Sequence, residues 1–310
     1  MTTLIYTHPA CLEHVPGPGH PESPARLQAV LQALEDGEFA GLSWRDAPLG
    51  SVAQLQLIHT PAYVDEVAAL APKRGYRPLD AGDTVMSPGT WEAVMRCVGA
   101  ACAGVDAVVA HEATNVFCAT RPCGHHAEAD RAMGFCVFNQ AAIAAVHAQR
   151  AHGLKRVAVV DFDVHHGNGT QHAFQAHADR FYGSCHQSPF YPGTGERSEC
   201  GVAGNIVNIP LARGCDSATF RKHMAAQMLP ALRTFAPELL IISAGFDAHH
   251  KDPLGGLNFS DDDFHWITRE LMAVADASAA SRVVSVLEGG YSLEGLASGA
   301  AAHVRALMAH

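Results

Sequence analysis

The residues best equipped for chemistry are Asp161, Asp163 and His165, in the run Asp161-Phe162-Asp163-Val164-His165-His166-Gly167-Asn168-Gly169. In extended backbone, positions two apart face the same side. Two carboxylates and an imidazole on one side are expensive to hold together without a cation. They are also the ligand types of a Zn²⁺ site. Asp247 is a further candidate, in Ser243-Ala244-Gly245-Phe246-Asp247-Ala248-His249-His250. Alone it would read as a helix cap. With Asp163 and His165 it completes three ligands and leaves positions open for water and substrate, as a catalytic metal requires. His249 and His250 are expected at the rim of such a site.

Two more clusters carry reactive groups. Arg121-Pro122-Cys123-Gly124-His125-His126-Ala127 presents two imidazoles from a turn whose glycine lets backbone pass close to a site. A His pair alone is weak evidence and gains weight only beside metal ligands. Leu287-Glu288-Gly289-Gly290-Tyr291 ends on a phenol that can donate to a developing oxyanion.

These clusters need elements to position them. Short runs at 115–119, 156–161, 181–185, 238–244 and 282–287 read as strands. Several are apolar throughout, as in a parallel sheet covered on both faces. Helices are predicted over Pro24–Leu34, with Ser23 as N-cap, from Pro88 to about Ala110, and from Ser260 to about Ser278. The alternation predicts a single α/β domain over 1–310, an open, mostly parallel sheet flanked by helices. Each reactive cluster begins where a strand ends, the edge at which such sheets bind ligands.

Composition narrows the class. The chain has 310 residues, 48% of them hydrophobic and 17% charged, with a formal net charge of -10. An acidic chain is a poor match for phosphate backbone, so no nucleic-acid partner is expected. Nine cysteines without a C-x-x-C pair argue against a disulfide framework or zinc ribbon and read as reduced, buried thiols. The N-terminal residues lack the pattern of a secretory signal, and no apolar run approaches the roughly 18 residues that span a bilayer. A cytoplasmic protein without membrane association is the expectation. Among the 20 histidines, those outside the clusters, His147 and His152 included, receive no role.

The set RPCGHHA, DFDVHHGNGT, SAGFDAH and LEGGY, in this order, resembles the histone deacetylase superfamily, and more closely its class II and bacterial members. The resemblance runs from His20-Pro21-Glu22 and Arg26 to Tyr291 and implies the arginase/deacetylase-like fold. It implies one Zn²⁺ held by Asp163, His165 and Asp247. It makes His126 similar to the family's general base, His125 to its partner and Tyr291 to the oxyanion-stabilising tyrosine. Asp161 and Asn168 resemble the residues that orient the two histidines. Phe135, beside Gly134, resembles one wall of the acyl-lysine tunnel. Phe190 or Tyr191 supplies the facing wall, Tyr191 being the better match by motif position. Leu254 falls where polyamine-selective members carry an acidic gatekeeper. Arg26 resembles an arginine of the inner acetate pocket. A structural K⁺ is implied at Asp161, Asp163, His165, Ser184 and Cys185.

The resemblance therefore implies metal-assisted hydrolysis of an acyl-lysine or related N-acyl amine. Acetylpolyamine hydrolysis is the alternative, and a non-catalytic acyl-lysine binding module a more distant one. A dinuclear arginase-like site would need further carboxylates after Asp247, where only Asp252 is offered. Asn at position 168, where class I members have Asp, should leave His126 neutral and basic. The oligomeric state is not addressed by the sequence.

Overall fold

Each apolar run that predicts a strand forms one. The computed structural model describes residues 2–309. The strands in chain order are β1 (Thr3–Thr7), β2 (Ser43–Asp46), β3 (Arg77–Pro78), β4 (Val85–Met86), β5 (Asn115–Cys118), β6 (Val157–Asp161), β7 (Arg180–Gln187), β8 (Ile206–Leu211), β9 (Leu239–Ala244) and β10 (Val283–Leu287). The helices are α1 (Pro24–Ala33), α2 (Val52–Leu55), α3 (Pro61–Leu70), α4 (Thr90–Val109), α5 (Gln140–His152), α6 (Asn168–Phe174), α7 (Ser217–His223), α8 (Leu229–Phe235), α9 (Asp261–Ser278) and α10 (Leu293–Met308). A π-helical turn, Met224–Met228, joins α7 to α8 just before Pro230, which cannot donate to the helical ladder.

Eight strands form one sheet in the order β2-β1-β5-β10-β9-β6-β7-β8, and every pairing within it is parallel. β3 and β4 pair separately as a small antiparallel hairpin. Alternate residues of each central strand enter opposite cores. Leu240 and Ile242 pack with Ile267 and Leu271 of α9 and Leu296 of α10. Leu239 and Ile241 pack with Ala100 and Val105 of α4 and Ala141 and Ala145 of α5. Because both faces are covered, these strands have no polar alternation. Fully burying each such side chain is worth about 1.5–3 kcal/mol.

Two local expectations are adjusted. Ser23 precedes α1 in extended conformation, but its side chain makes no capping hydrogen bond. Its carbonyl instead accepts from Arg26 N at 3.1 Å. The predicted helix from Pro88 begins at Thr90, after Gly89. At α9, the Asp263 carboxylate accepts from the Ser260 amide at 2.9 Å and from its hydroxyl at 3.0 Å. All nine cysteines are free and seven are buried. Among the described residues, no helix is long and apolar enough to cross a membrane.

Candidate active site

β5, β10, β9 and β6 are consecutive neighbours in the sheet, and each is followed by one of the four clusters. Their last residues lie level, with Leu287 beside Ala244 and Asp161 beside Ser243. Segments as far apart in the chain as His125 and Tyr291 therefore meet beyond one sheet edge.

At that edge Asp163, His165 and Asp247 converge, their ligand atoms all within 4.8 Å of one another. Both carboxylates are fully buried. Backbone amides orient both: Asp163 Oδ2 accepts from Gly289 at 2.8 Å and its Oδ1 from His165 at 2.9 Å, and Asp247 Oδ1 accepts from Val164 at 2.8 Å. Asp163 Oδ1 and Asp247 Oδ2 each lie 3.1 Å from His165 Nδ1. Gly289 must be glycine here, because a Cβ would overlap the Asp247 carboxylate. Burial pushes Asp247 up to about 7, and the Asp163 charge adds to it. Burial opposes a charge on His165, but hydrogen bonds to Asp163 and Asp247 raise it to about 10. Two buried anions thus hold a proton where a cation would relieve them. The donor set of two oxygens and one imidazole nitrogen suits a divalent transition metal.

The adjacent histidines His125 and His126 lie with ring centroids 4.0 Å apart, and both are buried. His125 Nδ1 is 2.9 Å from Asp161 Oδ2, and His126 Nδ1 is 2.9 Å from Asn168 Oδ1. Their environments push them in opposite directions. Burial opposes the charge on His125, but Asp163 and Asp161 raise it well above its usual range. A cation between the carboxylates would offset that pull. Burial depresses His126, and the neighbouring His125 and His165 add to it. Two imidazoles held apart in basicity can divide the proton-accepting and proton-holding tasks.

A cavity of about 410 Å³ leads to this centre, lined by His20, Pro21, Asp83, His126, Gly134, Phe135, His165, Phe190, Tyr191, Leu254 and Tyr291. Phe190 stacks on His165 at 5.1 Å and 14°, and Tyr191 stands edge-on to His126 at 5.1 Å. Both aromatic candidates therefore line the wall, Phe190 deep against the imidazole and Tyr191 half-exposed at the rim. Gly134, with φ +56°, passes so close to His126 that a Cβ would collide with its ring. Leu254 and Tyr291 complete the lining.

The remaining candidates lie outside the lining of this cavity, Arg26 among them. It is buried behind Tyr291, its guanidinium 4.9 Å from the phenol ring, donating to the carbonyls of Gly290 (2.5 Å) and Glu288 (2.6 Å) and to Glu22 (2.9 Å). His249 and His250 are not at the rim. His249 is buried, with Nε2 3.3 Å from Asp261, and His250 Nδ1 lies 3.1 Å from the Phe259 carbonyl. Ser184 pairs beside Asp161 across β6 and β7, with its hydroxyl 2.9 Å from His186 Nδ1, and Cys185 is buried next to it.

Other residues build the site without announcing themselves in the sequence. Glu288 is buried and accepts from the amides of Gly124 (2.7 Å) and His125 (3.2 Å), which fixes the His-His turn. Asp252 accepts from the amides of Tyr291 (2.6 Å) and Ser292 (3.0 Å), which fixes the tyrosine. Its other oxygen takes the Leu254 amide at 2.9 Å. Tyr182 donates to Asp161 Oδ2 at 3.1 Å. Asp83 stands at the cavity mouth, where its carbonyl lies 2.9 Å from His20 Nε2. In the sequence, Asp252 and Glu288 lie in or beside motifs that give no hint of backbone holding, while Asp83 reads, with Asp80, as a candidate acid at the tunnel mouth.

Comparison with known proteins is consistent with this geometry. The histone deacetylase domain family matches residues 20–307. The chain is 38% identical to histone deacetylase 14, chloroplastic, of Arabidopsis thaliana, over 98% of this chain and 76% of that protein. It is 36% identical to the histone deacetylase-like amidohydrolase of Pseudomonas aeruginosa, over 94% of this chain and 82% of that protein. The crystal structure of the HDA15 HD domain superposes with a TM-score of 0.94 at 32% identity, covering 100% of this chain and 90% of that one.

Proposed function

Because the chain belongs to the histone deacetylase family, we propose that it is a zinc-dependent amidohydrolase that removes acetyl groups from acyl-lysine or a related N-acyl amine. The observation that carries this reading is that His165 of the Asp163–His165–Asp247 cluster, His126 and Tyr291 border one cavity with apolar walls.

Asp163, His165 and Asp247 would hold the metal, which when bound polarises the acyl carbonyl and acidifies water. The protein's own groups carry the proton traffic. Asn168 accepts from His126 Nδ1, which leaves Nε2 unprotonated to take a proton from the attacking water. The Tyr291 hydroxyl donates to the oxyanion that develops on the acyl oxygen. A protonated imidazole of the His125–His126 pair then returns a proton to the leaving amine. Phe135, Phe190 and Tyr191 shield the aliphatic stem and keep bulk water from the reacting amide.

Against a dinuclear site, Asp252 is not among the ligand atoms that converge with Asp163, His165 and Asp247, and its oxygens hold the amides of Leu254, Tyr291 and Ser292. A structural K⁺ near Ser184 and Cys185 is part of the proposal by resemblance alone. Acetylpolyamine hydrolysis stays as a second reading because Asp83 sets a carboxylate at the mouth.

Purified protein should release acetate from acetyl-lysine peptides, lose that activity to a strong chelator and regain it on adding Zn²⁺. Chelator-resistant turnover would overturn the metal assignment, and binding without hydrolysis would make the protein a reader of acyl-lysine.

A further inference from the structure

Far from the active centre, two histidines close on one carboxylate oxygen. Asp106 Oδ1, near the end of α4, lies 2.7 Å from His147 Nε2 and 2.6 Å from His152 Nε2 on α5. The two imidazoles are 5.7 Å apart at 84°. Residues five apart on a helix point about 140° away from one another. These two meet because α4 brings Asp106 between them. Their ligand atoms and the carboxylate oxygen all lie within 4.8 Å of one another. No Lys or Arg among the described residues is ion-paired with Asp106; its ion pairs are these two imidazoles.

We propose that Asp106, His147 and His152 form a second divalent transition-metal site that clamps α4 to the C-terminal end of α5. The donor set is two imidazole nitrogens and one carboxylate oxygen, which favours Zn²⁺, Ni²⁺ or Cu²⁺ over Mg²⁺ or Ca²⁺. Tetrahedral Zn²⁺, with bonds of about 2.0–2.2 Å, separates its ligands by about 3.3–3.5 Å. Each N···O distance must therefore open by less than about 1 Å. The rings have room to do so: the side chains of Asp106, His147 and His152 are 53%, 14% and 24% exposed. Three protein ligands leave at least one position to water.

The clamp has a structural consequence. α5 ends at His152 and the chain turns at Gly153 directly towards β6, whose end carries Asp161 and the Asp163 that follows. Fixing the end of α5 steadies the entry to that strand. Asp106 lies 41 and 46 residues before His147 and His152, so no local motif joins the three.

The test counts ions on the full chain. Protein carrying one equivalent of metal is dialysed against increasing Zn²⁺ or Cu²⁺. Wild type should approach two ions per chain, and Asp106→Asn and His147→Ala should stop near one with unchanged amide hydrolysis. The Asp247→Ala variant should lose one ion and keep this second one, which separates failure here from failure of the active-site reading. Cu²⁺ at the second site should show two nitrogen ligands by electron paramagnetic resonance, and excess Zn²⁺ should raise the melting temperature of wild type but not of Asp106→Asn. If His147→Ala does not fold, the near-isosteric Asp106→Asn decides. A second ion retained in Asp106→Asn, or no second ion in wild type at tenfold excess, would overturn the site and leave a hydrogen-bonded triad only.

Discussion

Asn168 Oδ1 lies 2.9 Å from His126 Nδ1, while the amide nitrogen of Asn168 donates to Glu128 Oε1 at 2.7 Å. The Glu128 carboxylate can only accept, so flipping the amide would set its oxygen against that carboxylate and lose the hydrogen bond. Nδ1 of His126 must then carry the proton, and Nε2 is left as the base. His126→Ala should lower kcat by about 10²–10⁴ with metal content unchanged. Parallel metal analysis and steady-state kinetics check this. Near-normal turnover would transfer the role of base to His125.

Tyr291→Phe should lower kcat by about 10²–10³ with little change in KM, since the hydroxyl acts on charge that develops during reaction. A rate within threefold of wild type would leave Tyr291 as a wall of the cavity. Asp252→Asn should give a milder loss, because it frees the Tyr291 amide without removing the phenol.

Asp247→Ala should strongly reduce active-site metal occupancy. Its Oδ2 is one of two carboxylate oxygens that meet His165 Nδ1, each 3.1 Å away. Full occupancy in this variant, measured by elemental analysis, would remove Asp247 from the ligand set.

Leu254 and Asp83 both border the cavity. An apolar Leu254 gives no counter-charge to a buried secondary ammonium, which is costly to leave unpaired. Asp83 is exposed and faces water, where its attraction for cations is screened. Acetyl-lysine peptides should therefore show higher kcat/KM than N-acetylated spermidine or putrescine, and Leu254→Glu should narrow the gap. A wild-type preference for acetylpolyamines would defeat this and point to Asp83 as the selecting acid.

Stability should fall as pH drops from about 6.5 towards 4. Burial depresses His303 to about 3 and His59 to about 4. The unfolded chain takes up protons below about 6.5 that these folded residues refuse. Their contribution is complete above that pH and is lost on acidification. In His303 the tautomer is fixed. The Thr268 hydroxyl donates to the Phe264 carbonyl at 2.6 Å, so it accepts from His303 Nδ1 at 2.7 Å. Ser285 then donates to Nε2 at 2.8 Å. Urea unfolding of His303→Gln should show lower stability at pH 7 and a shallower fall below pH 6.5, by up to about 1.4 kcal/mol per pH unit. An unchanged pH slope would mean that His303 is not the group taking up the proton.

Local signals carried much of the fold. Leu239–Ala244 and Val283–Leu287 are buried throughout and apolar but for Ser243 and Ser285, and that pattern marked them as strands without knowledge of their neighbours. Other elements stayed silent for physical reasons. β8 contains Pro210, which argues against a strand, yet β8 is the sheet edge, where a missing donor costs least. α5 buries most of its Ala-rich turns, so it shows little of the two-sided pattern that identifies a helix.

For the site, the sequence alone determined which residue types stood at strand ends: Asp163, His165, Asp247, the His125–His126 pair and Tyr291. Side-chain period and motif spacing are local properties, and they sufficed for that. Only the tertiary structure decided that β5, β10, β9 and β6 lie side by side, because strand order depends on crossovers that no local spacing encodes. It also decided the tasks of Glu288, Asp252 and Glu128, whose partners lie up to 164 residues away. A buried carboxylate acquires its role from the amides and amines packed against it, and those are chosen by the fold.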